Sequence, residues 1–244
     1  MYYNYRDGKD RVKNILNSNL QVIQKNTVPC EDDFTFENAY KCWVTSIFVD
    51  IRNSTDLFAE QNQTMVAKII KSFSSEVIEI LRDSKYCEEI GIRGDCVYAI
   101  YSSPLTNDVY DVANKAFWVN TLLRMLNKLF DEKQYLNIKA GIGISSDQEL
   151  IVKAGRKGVG INSKVWIGNA VTKASKLSSL SNKNSIGPIA MSSCTYNNII
   201  EILKNKNSDA ETWFTETYDR DYGTYYHGSV IITDFDKWID GGMK

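Results

Sequence analysis

The chain has 244 residues and carries 29 lysines and arginines against 30 aspartates and glutamates, a formal net charge of −1. This length fits one large domain or one domain with appendages, and the near-neutral charge argues against nucleic-acid binding. No apolar run approaches the roughly 20 residues of a membrane helix and the first residues do not form a signal peptide, so we expect a cytoplasmic protein without a membrane partner.

The cysteine and histidine counts narrow the chemistry further. The five cysteines contain no CxxC pair, which predicts reduced thiols rather than a zinc knuckle or a disulfide framework. His227 is the only histidine, which excludes histidine-rich metal sites and makes Ser-His-Asp catalysis improbable. Any chemistry must therefore rely on carboxylates, lysines and arginines, with or without a metal ion.

The first 40 residues are polar, and we assign residues 1–40 to an N-terminal helical extension of the main domain, residues 41–244. The stretch "RVKNILNSNLQVIQ" predicts a helix there, followed by a loop with Pro29. Residues 43–51 are rich in β-branched and aromatic side chains and predict a strand. Apolar residues from Val66 to Leu81 then recur at three-and-four spacing, which predicts a helix.

The middle of the chain predicts hairpins separated by helices. "EEIGIRGDCVYAIY" predicts two strands with a tight turn at Arg93-Gly94-Asp95. A second long helix carries its buried face from Val109 to Phe130. "NIKAGIGIS" and "QELIVKAG" predict a further strand pair joined near Ser146-Asp147.

The last part predicts two helices and three strands. "GNAVTKASKLSSL" reads as a helix, "IGPIAMS" as a strand, and "SCTYNNIIEILKN" as a helix capped by Ser193. Residues 211–241 contain two strand-like pieces around a tyrosine-rich turn. This alternation of hairpins and helices predicts an α+β fold, a mostly antiparallel sheet with helices packed on it.

Two aspartates lie at the ends of predicted sheet strands. Asp50 interrupts the apolar run of residues 44–51, and Asp95 lies at the tip of the following hairpin. If these strands are neighbours, both carboxylates face one volume, where their mutual repulsion calls for a cation. Hard oxygen ligands select Mg²⁺ or Mn²⁺, and two such ions can drive an in-line displacement at phosphorus. We therefore expect Asp50 and Asp95 to hold two ions, with the backbone oxygen of Ile51 as a further ligand.

Basic residues near these aspartates suggest phosphate contacts. The segment with Arg52 and Asn53 is expected to enter a helix by Thr55, so its N–H groups can face an anion. For Arg52, a phosphate contact and a surface salt bridge are open interpretations of about equal weight. The loop "KAGRKG" contributes Lys153, Arg156 and Lys157, which fit either a triphosphate or a solvated basic turn.

Three stretches resemble the signatures of the class III nucleotide cyclases. "FVDIRNST" resembles the strand with the first metal aspartate, "GIRGDCVYAIY" the hairpin with the second, and "KAGIGISS" with "VWIGNAVTKASKL" the loop and helix with transition-state residues. They occur in order over about residues 43–182. The resemblance implies a ferredoxin-like α+β fold, a cyclase catalytic domain at residues 41–244, and a head-to-tail homodimer with composite sites. It also implies conversion of a nucleoside triphosphate to a 3′,5′-cyclic monophosphate and pyrophosphate.

This sequence departs from these signatures at the positions that would recognise the base of the nucleotide. The resemblance implies base-reading positions at Gly91 and Val165, where purine cyclases carry side chains able to read a purine, and transition-state positions at Thr172 and Lys176. Lys176 can replace an arginine as a point charge. With both metal aspartates kept, the pattern is most similar to the Pycsar pyrimidine cyclases of bacterial anti-phage defence, whose cyclic UMP or cyclic CMP activates an effector.

We therefore predict a uridylate cyclase that uses UTP. The alternatives are a cytidylate cyclase, a purine cyclase, and a catalytically silent nucleotide-binding module. A diguanylate cyclase or polymerase palm is disfavoured because "IRGDCV" is not a GG(D/E)EF-type hairpin.

Overall fold

The computed structural model describes residues 2–54 and 62–244. Within these ranges it holds six α-helices, namely α1 (Tyr5–Leu16), α2 (Gln63–Arg82), α3 (Thr106–Glu132), α4 (Asn169–Leu180), α5 (Ser193–Lys206) and α6 (Thr233–Asp240). The nine strands are β1 (Gln21–Gln24), β2 (Asn38–Ile51), β3 (Cys87–Arg93), β4 (Cys96–Ser102), β5 (Ala140–Arg156), β6 (Ile161–Ile167), β7 (Ile189–Ser192), β8 (Phe214–Asp219) and β9 (Gly223–Gly228).

All nine strands join one sheet. Its main order is β3-β4-β2-β5-β7-β9-β8, with β1 added beside β2 and β6 added beside β5. The pairs β1–β2 and β5–β7 are parallel and the other pairs are antiparallel. The predicted α+β fold with a mostly antiparallel sheet is confirmed.

The main core lies on one face of this sheet. Alternate residues of β2, including Ile47 and Val49, point to this face and are fully buried. Helix α2 packs there with Ile69, Phe73 and Val77, which recur every four residues and form one apolar stripe. The three-and-four spacing predicted this helix correctly.

Helix α4 packs on the opposite face and comes very close to β5. A Cβ atom at Gly143 would lie 2.0 Å from the backbone oxygen of Ala174, and one at Gly141 would lie 2.3 Å from that of Ser178. Only glycine leaves room for this approach. Ile142 and Ile144, which alternate with these glycines, point to the other face of the sheet and into the main core. The alternation "GIGI" thus places α4 against the strand that pairs with Asp50.

The predicted strand pair at residues 137–155 is wrong. Strand β5 continues without a turn through Ser146, whose hydroxyl is buried and hydrogen-bonded to Thr45 at 2.8 Å and Thr195 at 3.1 Å. These distant partners satisfy a polar group that would otherwise favour a turn. The hairpin instead turns at residues 157–160, where Gly158 and Gly160 have positive φ angles of 80° and 75°.

Several element boundaries also differ from the predictions. The first helix ends at Leu16, and "QVIQ" forms β1 instead. Ser192 rather than Ser193 caps α5, accepting from the N–H of Thr195. Helix α6 was not predicted, because its eight residues depend on tertiary contacts such as the Arg124–Asp236 ion pair.

Two predictions from the composition concern the state of the cysteines and the presence of membrane helices. All five cysteines are free thiols, as predicted. Among residues 2–54 and 62–244, no helix is long and apolar enough to cross a membrane.

Candidate active site

Asp50 and Asp95 lie together at one end of the sheet. Asp50, near the end of β2, pairs in register with Cys96 of β4, and Asp95 directly precedes Cys96 in the turn after β3. Burial raises the pKa of the Asp50 carboxyl above its ordinary value, the Arg52 guanidinium opposes this rise, and the negative charge of Asp95 adds to it. The two aspartates therefore lie close enough for their charges to interact, and their joint binding of a metal ion stays a prediction.

Arg52 is the charged partner of Asp50 in this structure. Its Nη2 donates to the Asp50 carboxylate at 2.5 Å and to the Asp50 backbone oxygen at 2.9 Å, while its Nη1 donates to the backbone oxygen of Ser179 at 2.9 Å. The Arg52 side chain is only 5% exposed. It therefore forms a largely buried ion pair rather than a surface salt bridge, and its contact with phosphate stays a prediction.

The other residues of this segment differ in their exposure. Ile51 is the last residue of β2 and is buried against the core. Asn53 is exposed and has a positive φ of 54°. The predicted entry into a helix runs to Thr55, which lies outside the described residues.

The carboxylate pair fits a divalent cation. Within the described residues, no three His, Cys, Asp or Glu side chains cluster as a metal site. Mg²⁺ does not need such a cluster, because it is commonly held by one or two carboxylates together with water and substrate phosphate oxygens. Asp50, with one carboxylate oxygen bonded to Arg52, and Asp95 match this donor set.

Helix α4 presents a polar pocket on the same face of the sheet. The pocket measures about 260 Å³ and is lined by Thr172 and Lys176, together with Lys173 and the first residues of α5. Lys176 lies 5.9 Å from the centre of the Tyr222 ring. Burial lowers the pKa of Lys173 and Asp147 opposes this shift. Asp147 and Asp221 also line the pocket, so the two ammonium groups lie among carboxylates beside the N-terminus of α5.

Lys153 and Arg156 lie far from the aspartates within one chain. Asp50 pairs with Gly141 of β5, and Lys153 follows twelve positions later on the same strand, which corresponds to about 40 Å along the strand at ~3.3 Å per residue. The Lys153 ammonium donates to the backbone oxygen of Phe34 at 3.3 Å. Arg156, at the end of β5, is exposed.

The space beside Gly91 is filled by an aromatic ring. Gly91 pairs with Tyr98 across the β3–β4 hairpin, and a Cβ atom at Gly91 would lie 2.5 Å from the Tyr98 ring. Tyr98 stacks on Phe48 with ring centres 5.2 Å apart and planes 13° apart, and its hydroxyl donates to Glu89 at 2.8 Å. The absence of a side chain at position 91 is therefore what admits the tyrosine.

Trp166, rather than Val165, reaches this group. The Trp166 Nε1–H donates to the second carboxylate oxygen of Glu89 at 2.7 Å. Val165 is 38% exposed, and the alternation of a strand places its side chain on the other face of β6 from Trp166. The structure therefore joins Gly91 to Trp166 through Tyr98 and Glu89.

Some of these residues could have been found from the sequence. The two-residue turn Gly94-Asp95 sets the hairpin register, so Tyr98 had to face Gly91 and share its face with Glu89. Nothing local predicts the approach of Trp166, which lies 77 positions away from Glu89.

The comparisons with known proteins fit this geometry. The sequence profile described as the adenylate and guanylate cyclase catalytic domain matches residues 37–213. These residues include both aspartates, the β3–β4 hairpin and helix α4.

Relatives and a solved structure also match over most of the chain. A uridylate cyclase of Treponema porcinum is 48% identical over 243 residues, covering 100% of this chain and 83% of that protein. A uridylate cyclase of Gulbenkiania mobilis is 28% identical and covers 98% of this chain and 96% of that protein. The crystal structure of the adenylyl cyclase CyaB from P. aeruginosa superposes with a TM-score of 0.62 at 18% identity, covering 78% of this chain and 95% of that one.

Proposed function

The chain belongs to the adenylate and guanylate cyclase catalytic domain family, and we propose that it converts UTP to 3′,5′-cyclic UMP and pyrophosphate. The observation that carries this proposal is the 48% identity, over the full length of the chain, to a protein named uridylate cyclase. The residues around Asp50, Gly91 and α4 supply the physical support.

In the proposed reaction the 3′-oxygen of UTP attacks the α-phosphorus, and pyrophosphate leaves from the opposite side. Asp50, Asp95 and the backbone oxygen of Ile51 would hold two Mn²⁺ or Mg²⁺ ions, which stabilise charge developing on phosphorus. Arg52 keeps the Asp50 carboxylate oriented through its bond at 2.5 Å. Lys176 and Thr172 face the phosphate from α4, and Lys173 adds a second ammonium in the same pocket.

The residues around Gly91 support a pyrimidine base. The Tyr98 ring fills the volume that a side chain at position 91 would occupy. Less space is therefore left for a base beside Gly91. Glu89 accepts from both Tyr98 and Trp166. A carboxylate fixed by two donors offers its remaining lone pairs to an N–H of the base. Uracil N3–H and the cytosine amino group meet this requirement, and since purines also carry N–H donors, the preference for a pyrimidine rests on the space that Tyr98 fills.

We further propose a symmetric homodimer with composite sites. Three apolar residues of β6, Ile161, Val165 and Ile167, share one face and are 73%, 38% and 50% exposed. Such an exposed apolar stripe is typical of a surface that a partner covers. The catalytic domain then comprises residues 41–244, and residues 1–40 extend it.

The product suggests the biological role. Cyclic UMP is diffusible, so a separate effector must bind it. The resemblance to the Pycsar cyclases supports a signal that activates such an effector during phage infection. We expect cyclic UMP to rise in infected cells that express this chain, and an unchanged level would argue against this role.

The enzymatic proposal is tested by separate incubations with UTP, CTP, ATP and GTP in the presence of Mn²⁺, with products identified by mass. Asp50→Asn and a sample with EDTA serve as controls. We expect cyclic UMP as the main product, lost in both controls. Cyclic CMP as the main product would instead make the chain a cytidylate cyclase, and no product from any nucleotide would favour a silent binding module.

A further inference from the structure

Glu149 is a buried acid whose position has no role in the reaction described above. It lies in β5, is 0% exposed and pairs in register with the buried Cys42 of β2. One carboxylate oxygen accepts from the N–H of Ala170 at 2.5 Å, and the N–H of Val171 also lies close to the carboxyl group. The other oxygen, Oε2, has no hydrogen-bond partner among the described residues.

These contacts make Glu149 the cap of helix α4. The helix begins at Asn169 after Gly168, which has a φ of 157° and no side chain to accept from the first N–H groups. A Cβ atom at position 168 would lie 2.7 to 2.8 Å from the Glu149 carboxylate. Gly168 has no side chain that could cap the helix. Its small size instead leaves room for the carboxyl of Glu149, which lies 21 positions from Ala170 in sequence and accepts from the Ala170 N–H.

Helix α4 is held at its two ends by polar side chains from other elements. Glu149 accepts from the first turn, and Arg52 donates to the backbone oxygen of Ser179 near the last turn. An acceptor at the N-terminus and a cation at the C-terminus both match the backbone groups that a helix leaves unpaired at its ends. Because Arg52 also holds Asp50, the two contacts set the position of α4 relative to the sheet and to the aspartate.

We propose that Glu149 is a positioning residue for catalysis, which holds helix α4 so that Lys176 and Thr172 face the reacting phosphate. The proposal rests on the proposed cyclase function. A buried carboxyl with an unpartnered oxygen is costly to the fold, so Glu149 is poorly explained as a purely stabilising residue. A displacement of α4 by even ~1 Å would misplace Lys176, and shifts of this size can reduce rates about 100-fold.

The test compares Glu149→Leu, which removes the acceptor at similar size, with Glu149→Gln, which keeps one. The control is Asn62→Ala, which removes the cap of helix α2, where the Asn62 side chain accepts from Thr64 N–H at 2.8 Å. For Glu149→Leu we expect kcat with UTP to fall at least about tenfold, with KM changed less than about twofold and the melting temperature equal or higher. Glu149→Gln should restore most of kcat, and Asn62→Ala should leave it unchanged.

Amide hydrogen exchange gives a readout that does not depend on activity. We expect faster exchange of the Ala170 and Val171 amides in Glu149→Leu and near-normal protection in Glu149→Gln. A wild-type kcat together with wild-type exchange in Glu149→Leu would overturn the proposal. If the wild-type chain makes no cyclic nucleotide, the proposed function fails, and unchanged exchange would show separately that Glu149 does not hold α4.

Discussion

Replacing Glu149 by glutamine should change how stability depends on pH. Burial raises the pKa of the Glu149 carboxyl from 4.5 to about 7, the N–H groups of Ala170 and Val171 oppose this rise, and the charge of Asp147 adds to it. Because the folded chain binds this proton more tightly than the unfolded chain, the contribution of Glu149 to stability is fully present below pH 4.5. It is lost as the pH rises through 7.

The size of this effect follows from the shift. One pKa unit corresponds to about 1.4 kcal/mol, so a rise from 4.5 to about 7 corresponds to about 3 kcal/mol. Glutamine has no proton to lose, so the wild-type free energy of unfolding should fall by about 3 kcal/mol relative to Glu149→Gln between pH 4.5 and about pH 8.

Urea unfolding followed by circular dichroism at several pH values measures this difference. Asp50 and Glu88, whose pKa values burial also raises, titrate in both proteins and cancel in the comparison. Two curves that stay parallel across this range would show that Glu149 titrates normally, and the description of a buried, costly carboxyl would be wrong.

Three further predictions concern catalysis. Asp50→Asn should lower kcat about 100-fold or more at saturating Mn²⁺ with the fold retained, because a metal ligand is lost; near-normal turnover would remove Asp50 from the metal site. Mixing Asp50→Asn with Lys176→Ala chains should restore about a quarter of wild-type activity, because half of the dimers then hold one intact composite site of two; absence of rescue in proven heterodimers would contradict composite sites. Gly91→Ala should force the Tyr98 ring away from Glu89 and lower kcat/KM for UTP about tenfold, whereas an unchanged value would separate this hairpin from base binding.

Much of the fold could be predicted because it depends on local patterns. The β3–β4 hairpin follows from alternating apolar residues around Gly94-Asp95, and α2 follows from its four-residue spacing. Strand β5 could not be predicted as continuous, since Ser146 is satisfied by Thr45 and Thr195, which are distant in sequence.

Part of the candidate site could also be predicted from local patterns. The aspartates were found because a carboxylate inside an apolar strand needs a partner. The partner of Asp50 in the structure, Arg52, depends on how the chain turns back after β2. Lys153 and Arg156 were predicted as phosphate contacts because "KAGRKG" reads as a glycine-flanked basic loop, whereas the structure places both residues on the continuous strand β5.

The central claim is that this chain selects UTP. The most direct measurement is a competition in which the wild-type protein, Mn²⁺ and equal concentrations of UTP, CTP, ATP and GTP react in one tube, and the cyclic products are quantified by mass spectrometry at low conversion. The ratio of products then equals the ratio of kcat/KM values. We predict cyclic UMP in excess over each of the other three cyclic nucleotides, whereas any of these three in excess over cyclic UMP would contradict the claim.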